Sequence, residues 1–151
     1  MFVLAGVCTI GTAALWLVGR FPNVPIDLTP WNHWRMPAIR RDALPSLDEG
    51  PVLVTVEYQV PAQDAQRFLD AIEQYGLVRR RDGASRWGIF RDVERADVYL
   101  EVFEVSSWAE HLRQHERFTR ADAALEQEIS RCAQSQPVTR HLIYAQSERS
   151  T

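Results

Sequence analysis

Residues 51–60 read PVLVTVEYQV, and a valine or tyrosine occupies every second position from Val52 to Val60. Alternation of apolar and polar residues is typical of a β-strand with one buried face. Pro61 ends the pattern, because proline has no backbone N–H for a sheet hydrogen bond. The stretch therefore predicts the first strand of a sheet whose core face consists mainly of valine side chains.

Apolar periodicity on both sides of this strand predicts the remaining elements of an α+β domain. Ser107 with Glu110 has the spacing of a helix capping box, and Thr119 is placed to cap a further helix. The predicted elements are a helix opened by Asp64, strands over 85–92 and 98–105, helices over 108–117 and after Thr119, and a strand over 138–145. The order β-α-β-β-α-α-β is the split arrangement called ferredoxin-like.

The strand predicted at 98–105 is apolar on both faces. One face carries Val98, Leu100 and Val102, and the other carries Tyr99, Phe103 and Val105. A sheet that needs cover on both faces usually has helices on one side and a partner sheet or subunit on the other. We therefore expect the domain to form a homodimer.

The first 19 residues contain no charged side chain, and Arg20 is the first of the 17 basic residues. As a helix such a run spans roughly 28 Å, close to the hydrocarbon thickness of a bilayer. Small residues in its middle are typical of helices packed in a bundle. We expect a transmembrane helix over 1–20 in the lipid bilayer. A secretory signal peptide, which normally has a positive charge before the apolar run, and a buried soluble helix are the alternatives.

Arginines at the end of this run and in the residues after it orient the predicted helix. By the positive-inside rule they place the C-terminal domain in the cytoplasm, beneath the cell inner (plasma) membrane. Five prolines within 21–50 prevent long regular structure there. Trp31 and Trp34 flank His33 and suit either the lipid headgroup region or packing on the following domain. The predicted organisation is a helix over 1–20, a linker over 21–50, a domain over 51–146 and a tail over 147–151.

The charge composition argues against two classes of function. The net charge is −3, which does not favour a nucleic-acid partner. Every basic residue is arginine, which excludes a catalytic or Schiff-base lysine. The two cysteines, Cys8 and Cys132, fit neither a disulfide framework nor a zinc site and favour a reducing compartment.

Two clusters of polar residues have both a structural and a functional interpretation. His111 and His115 have the helical spacing of a zinc pair, with His141 or Glu104 as the third ligand. The structural alternative places His115 beneath the sheet and His111 at the rim, and we predict no metal and no cofactor. The run over 79–81, three arginines, suits a solvated helix end or a surface for anionic lipid headgroups.

Several segments resemble the C-terminal cytoplasmic domain of bacterial major facilitator superfamily exporters. The group is the transmembrane secretion effector family, which is related to enterobactin-type exporters. The segments are PVLVTVEY (51–58), RRRDGASRWGIFRD (79–92), EVFEVSSWAEHLRQHERFTRAD (101–122) and RHLI (140–143), of which SWAEHLRQHERFT (107–119) is the most specific. The resemblance implies the last span and cytoplasmic domain of an efflux protein for small molecules, with the remaining transporter spans as partners.

The resemblance also implies a domain similar to the dimeric α+β barrels of antibiotic-biosynthesis monooxygenases, which enclose a pocket between sheet and helices. The candidate pocket residues are Trp87, Phe90, Tyr99, Phe103, Trp108, His111 and His115. Aromatic residues at such positions are also typical of an ordinary core. Because the sequence contains no nucleophile–base pair, phosphate loop or diagnostic carboxylate pair, we expect a non-enzymatic domain. The alternative is a membrane-tethered monooxygenase-like enzyme or ligand-binding domain.

Overall fold

The computed structural model describes residues 26–31, 39 and 44–145. Within these residues the order of strands and α-helices is β-α-β-β-α-α-β, which confirms the predicted α+β, ferredoxin-like arrangement. The elements are β1 Val52–Gln59, α1 Ala65–Arg81, β2 Arg86–Arg91, β3 Val98–Val105, α2 Trp108–Glu116, α3 Arg120–Cys132 and β4 Val138–Ile143. A 3-10 turn, Ala62–Asp64, precedes α1, and Asp64 is the N-cap residue of this helix, as predicted.

The four strands form one antiparallel sheet in the order β2-β3-β1-β4. In the register, Val54 of β1 lies between Phe103 of β3 and His141 of β4, and Val56 lies opposite Glu101. Side chains alternate between the two faces of a sheet, so these residues share one face. We call it the inner face, because the helices pack on it.

The core lies between the inner face and the helices. Phe68 of α1 stacks between two tyrosines of the sheet, with ring centroids 5.2 Å from Tyr58 and 5.1 Å from Tyr99. Gly76 of α1 allows close packing of the indole of Trp87, since a Cβ atom there would lie 2.6 Å from that ring. These contacts fix α1 across the sheet by tight aromatic packing.

The opposite face of the sheet, here the outer face, is apolar and open. Leu100 and Phe90 are directly paired on it, as are Leu53 and Leu142. The exposed fractions of Phe90, Val138 and Leu142 are 59%, 51% and 47%. Large side chains so exposed on neighbouring strands are typical of a surface that another protein covers.

The helices α2 and α3 begin at side-chain caps. The hydroxyl of Ser107 accepts a hydrogen bond from the backbone of Glu110, but the carboxylate of Glu110 binds arginines rather than completing the predicted capping box. At the start of α3, Thr119 and Asp122 form a full capping box. These caps fix the α2–α3 corner, where another part of the chain docks.

Residues 26–31, which we call the connector segment, pack on this corner. The N–H of Trp31 donates to the carbonyl of Phe118 at 2.8 Å, and the N–H of Arg120 donates to the carbonyl of Thr29 at 3.0 Å. The guanidinium of Arg120 stacks over the Trp31 ring at 4.3 Å. Of the two interpretations of Trp31, these contacts support packing on the following domain.

The predicted transmembrane helix over 1–20 and the tail over 147–151 lie outside the described residues. So do His33 and Trp34. In the part of the chain that the structure describes, no helix has the length and apolar character needed to cross a bilayer.

Candidate functional site

A cavity of about 290 Å³ lies between the inner face of the sheet and the helices. Strand residues Val54, Val56 and Phe103 form its floor, and the α3 residue Ile129 contributes to the opposite wall. Trp31 of the connector segment also lines it. Concave, mostly apolar cavities with a few polar groups are the usual form of small-molecule sites.

Arg79, which lines this cavity, forms a buried ion pair with Glu101. Glu101 on β3 has an exposed fraction of 0%. Its carboxylate accepts hydrogen bonds from Arg79 Nε at 3.0 Å and Arg79 Nη2 at 3.2 Å. Burial opposes the charged form of Arg79, but the neighbouring carboxylate outweighs it and keeps the pKa of Arg79 above its ordinary value. The guanidinium of Arg79 is therefore charged and lies against the carboxylate of Glu101.

Two further donors complete the environment of Glu101. The hydroxyl of Tyr58 donates to Oε2 at 3.1 Å, and the indole Nε1 of Trp87 donates to Oε1 at 3.0 Å. Burial, followed by the charge of Glu101, raises the pKa of the Tyr58 phenol well above its usual value. Tyr58 therefore remains protonated at neutral pH and holds the carboxylate as a donor.

Two of the three arginines over 79–81, Arg79 and Arg81, have different partners. Arg79 points into the protein, with its guanidinium 4.5 Å from the ring of Tyr75 and 4.3 Å from the ring of Phe103. Arg81 binds the carboxylates of Asp82 and Asp122. The interpretation of this run as a solvated helix end is therefore wrong for Arg79, because its charge is needed by the buried Glu101.

Three histidines meet at the α2 side of the cavity. The ring of His111 lies 4.9 Å from that of His115 and 4.7 Å from that of His141, between centroids. His111 is buried and His115 is half-buried, which is the reverse of the predicted placement. The reason is that the first turn of α2 brings Trp108 and His111 under β4, one turn before His115.

Burial sets the protonation state of this cluster. Burial, followed by repulsion from His141, lowers the pKa of His111 to about 4, and burial lowers the pKa of His141 as well. Both imidazoles are neutral at pH 7. They can exchange hydrogen bonds with a bound molecule without adding charge to the cavity.

Gln114 places an amide at the same wall. Its exposed fraction is 6%, and its side chain lines the cavity together with His111. Its Nε2 group has no hydrogen-bond partner among the described residues. A buried donor without a partner is costly, so an acceptor in the cavity would stabilise it.

The candidate pocket residues from the sequence divide into two groups. Phe103, His111 and His115 line the cavity. Trp87 lies behind it as a donor to Glu101, and Tyr99 and Trp108 are in the core beside it. Phe90 lies on the outer face, because β2 alternates and only its odd-numbered residues point toward the helices.

Sequence reasoning missed Arg79, Tyr58, Gln114 and Trp31 as cavity residues, and it missed Glu101 as the buried partner of Arg79. A signal for Glu101 was present, because it has the same alternation as Tyr99, Phe103 and Val105. A carboxylate among buried apolar positions indicates a buried ion pair with an arginine. The position of Trp31 had no comparable signal, since it depends on the path of the connector segment.

The predicted third zinc ligands behave differently. His141 joins the histidine cluster, whereas Glu104 lies on the outer face and accepts a hydrogen bond from Ser85. Among the described residues, no group of three His, Cys, Asp or Glu side chains is arranged to hold a metal ion.

The sequence profile of the transmembrane secretion effector family matches residues 2–151. The chain belongs to this family. The match extends from the uncharged opening through the α+β domain and supports a membrane-associated transport protein. No curated protein matches this member of the family significantly.

Solved structures share the fold of this family member. A conserved protein from Methanosarcina mazei Go1 is 15% identical with a TM-score of 0.57, covering 65% of this chain and 96% of its own. A putative antibiotic biosynthesis monooxygenase from Caulobacter crescentus CB15 is 17% identical with a TM-score of 0.57, covering 66% and 94%. A variant of SnoaB, a cofactor-independent oxygenase from Streptomyces nogalater, is 12% identical with a TM-score of 0.55, covering 68% and 99%. At these identities the likeness shows the fold alone.

Proposed function

We propose that this chain is the C-terminal segment of a major facilitator superfamily efflux transporter, with its α+β domain as a cytoplasmic accessory domain. The observation that carries the proposal is the family match, which is continuous over residues 2–151. The run without charge over 1–19 supports a last membrane span, and the arginines that follow support a cytoplasmic domain. Transport itself belongs to the full set of spans, which are the partners of this segment.

Membrane partition tests this proposal. The 151-residue chain is expressed in bacteria, and the membranes are floated on a density gradient and extracted with alkaline carbonate. We expect the chain to float and to remain in the pellet after extraction. A matched shorter chain that begins at residue 44 is expected in the soluble fraction. Full recovery of the 151-residue chain in the carbonate supernatant would contradict the proposal.

We also propose that a second copy of the domain covers the outer face. Phe90 and Leu142 stand at opposite edges of this face, with Leu53, Leu100 and Val102 half-buried between them. Burial of apolar surface contributes about 25 cal/mol per Å², so sheet-on-sheet contact across this face stabilises a dimer. Such a dimer would bring two exporter segments together.

The oligomeric state tests the dimer. Light scattering in detergent, with the micelle mass subtracted, should give twice the chain mass for the wild type and one chain mass for Leu142→Arg. Val93→Arg is the control, because Val93 is 94% exposed in the β2–β3 loop. A Leu142→Arg variant that stays dimeric would rule out this face as the interface.

The cavity favours a second candidate, a membrane-tethered enzyme similar to antibiotic-biosynthesis monooxygenases. It is partly closed by aromatic rings and holds neutral imidazoles near protonated tyrosines. Oxygen consumption with polycyclic phenols as substrates discriminates the two candidates. Turnover that is lost in His111→Phe would favour the enzyme, and absence of turnover across the substrate set would favour the accessory domain.

A further inference from the structure

The connector segment contributes a wall to the cavity, although it lies more than 20 residues before the first strand. Trp31 lines the cavity together with Phe118 and His115. Three backbone hydrogen bonds hold the segment in place: Trp31 to Phe118, Arg120 to Thr29, and Ala121 to Asp27 at 3.0 Å. The cavity is therefore complete only while this segment is docked.

The α2 side of the cavity presents a donor that needs an acceptor. Gln114 Nε2 is buried and has no hydrogen-bond partner among the described residues, and the Gln114 side chain lines the cavity. A carbonyl oxygen of a bound molecule would satisfy it, and the surrounding rings of Trp31, Phe118 and Phe103 would contact a planar aromatic body.

The charges around the cavity disfavour an ionic ligand. Arg79 is compensated by Glu101, and Asp82 by Arg81. The histidines His111 and His141 are neutral at pH 7, so they provide no counter-charge. An ion moved from water into this cavity would lose hydration without gaining a partner.

We propose that the cavity binds a small, uncharged aromatic molecule with one hydrogen-bond acceptor, and that binding holds the connector segment on the domain through Trp31. The acceptor lies at Gln114 Nε2, and the aromatic body lies between Trp31 and the floor of the sheet. The inference goes beyond the accessory role and does not depend on dimerisation. The connector segment lies between the uncharged opening and the domain in the sequence. Occupancy of the cavity therefore changes how strongly this segment is held on the domain.

The test uses the full chain in detergent with fluorenone as the probe. Fluorene is the matched compound without the carbonyl, and fluorenone-4-carboxylate is the matched anion. Calorimetry gives the affinities, and hydrogen–deuterium exchange follows the peptides that cover 26–31 and 118–121. Partition of each probe into protein-free micelles is measured separately, so that the affinities of the three probes refer to the same free concentration.

We expect fluorenone to bind about tenfold more tightly than fluorene, because fluorene cannot accept a hydrogen bond from the buried donor. We expect a similar preference over the anion, because its charge has no partner in the cavity. Gln114→Leu should lose this preference for fluorenone. Saturation should slow amide exchange in both peptides at least threefold. Trp31→Ala should weaken binding about tenfold and remove the slowing, whereas Leu28→Ala, an exposed residue of the same segment, should match the wild type.

Four outcomes would overturn the proposal. Fluorenone that does not bind up to its solubility limit excludes the ligand class. Equal affinity for fluorene excludes Gln114 as the recognition group, and equal affinity for the anion excludes the requirement for an uncharged ligand. Binding at saturation with unchanged exchange over 26–31 excludes the link to the connector segment. Circular dichroism melts of Gln114→Leu and Trp31→Ala establish that each variant is folded.

Discussion

Replacement of Glu101 by glutamine removes the negative charge that compensates Arg79 and leaves the shape of the side chain nearly unchanged. Glu101 is fully buried, and the side chain of Arg79 is only 19% exposed, so water cannot replace the lost partner. Removing one member of a buried pair typically costs about 3–5 kcal/mol, because the other charge is left uncompensated. Since a domain of this size is stable by about 5–15 kcal/mol, Glu101→Gln should be severely destabilised.

The measurement is urea unfolding at pH 7, followed by tryptophan fluorescence. Glu57→Gln is the matched control, because Glu57 carries the same substitution in the neighbouring strand and pairs with the exposed Arg95 at 3.3 Å. We expect a loss of at most about 1 kcal/mol there. A double variant, Arg79→Met with Glu101→Gln, should recover much of the stability, since neither charge remains and the glutamine oxygen can still accept a hydrogen bond from Tyr58 or Trp87.

The outcome that refutes this reasoning is equal stability of Glu101→Gln and Glu57→Gln. It would mean that Arg79 reaches solvent or another carboxylate and that the buried pair does not hold β3 to α1. A double variant less stable than Glu101→Gln would also contradict it.

Further predictions concern the histidines, α1 and the α2–α3 corner. The pKa of His111 is about 4 in the folded state and about 6.5 in the unfolded state. Between these pH values the unfolded state binds more protons than the folded state. The free energy of unfolding should therefore fall by about 2–3 kcal/mol as the pH drops from 6.5 to 4. Urea midpoints across this range should depend less on pH in His111→Phe, and an unchanged slope would contradict the assignment. Gly76→Ala should lower the free energy of unfolding by about 1 kcal/mol despite the better helix propensity of alanine, because the added Cβ would meet the Trp87 ring. A variant that is more stable than the wild type in thermal melts would show that the Trp87 ring can move away. Asp122→Ala should lower the free energy of unfolding by about 1–2 kcal/mol, because it removes the cap of α3 and the hydrogen bond to Arg81. Asp70→Ala, at an exposed position of α1, is the control. Equal melting temperatures of the two variants would show that the cap does not contribute to stability.

The sequence predicts the order of elements well because alternation and helical spacing are local properties. β3 has the predicted bounds, 98–105, since its ends coincide with changes in apolar pattern. The exposed outer face also follows from β3, which is apolar on both sides. A local pattern is sufficient where the residues of one segment determine its secondary structure.

The cavity could be predicted only in part because it depends on which residues meet across the fold. The cluster of His111, His115 and His141 needs the β1–β4 register, which brings His141 beside Val54. The pairing of Arg79 with Glu101 needs the position of α1 on the sheet. The docking of Trp31 depends on the path of the connector segment, which proline content alone does not determine.

The side of the membrane on which the domain lies is the most direct test of the proposed function. Trypsin is added to right-side-out and inside-out membrane vesicles that contain the chain, and release of the domain by cleavage at Arg40 or Arg41 is followed by mass spectrometry. We predict release from inside-out vesicles only, because the proposed function requires the domain to lie on the cytoplasmic side of the membrane. Release from right-side-out vesicles with equal efficiency would contradict this placement.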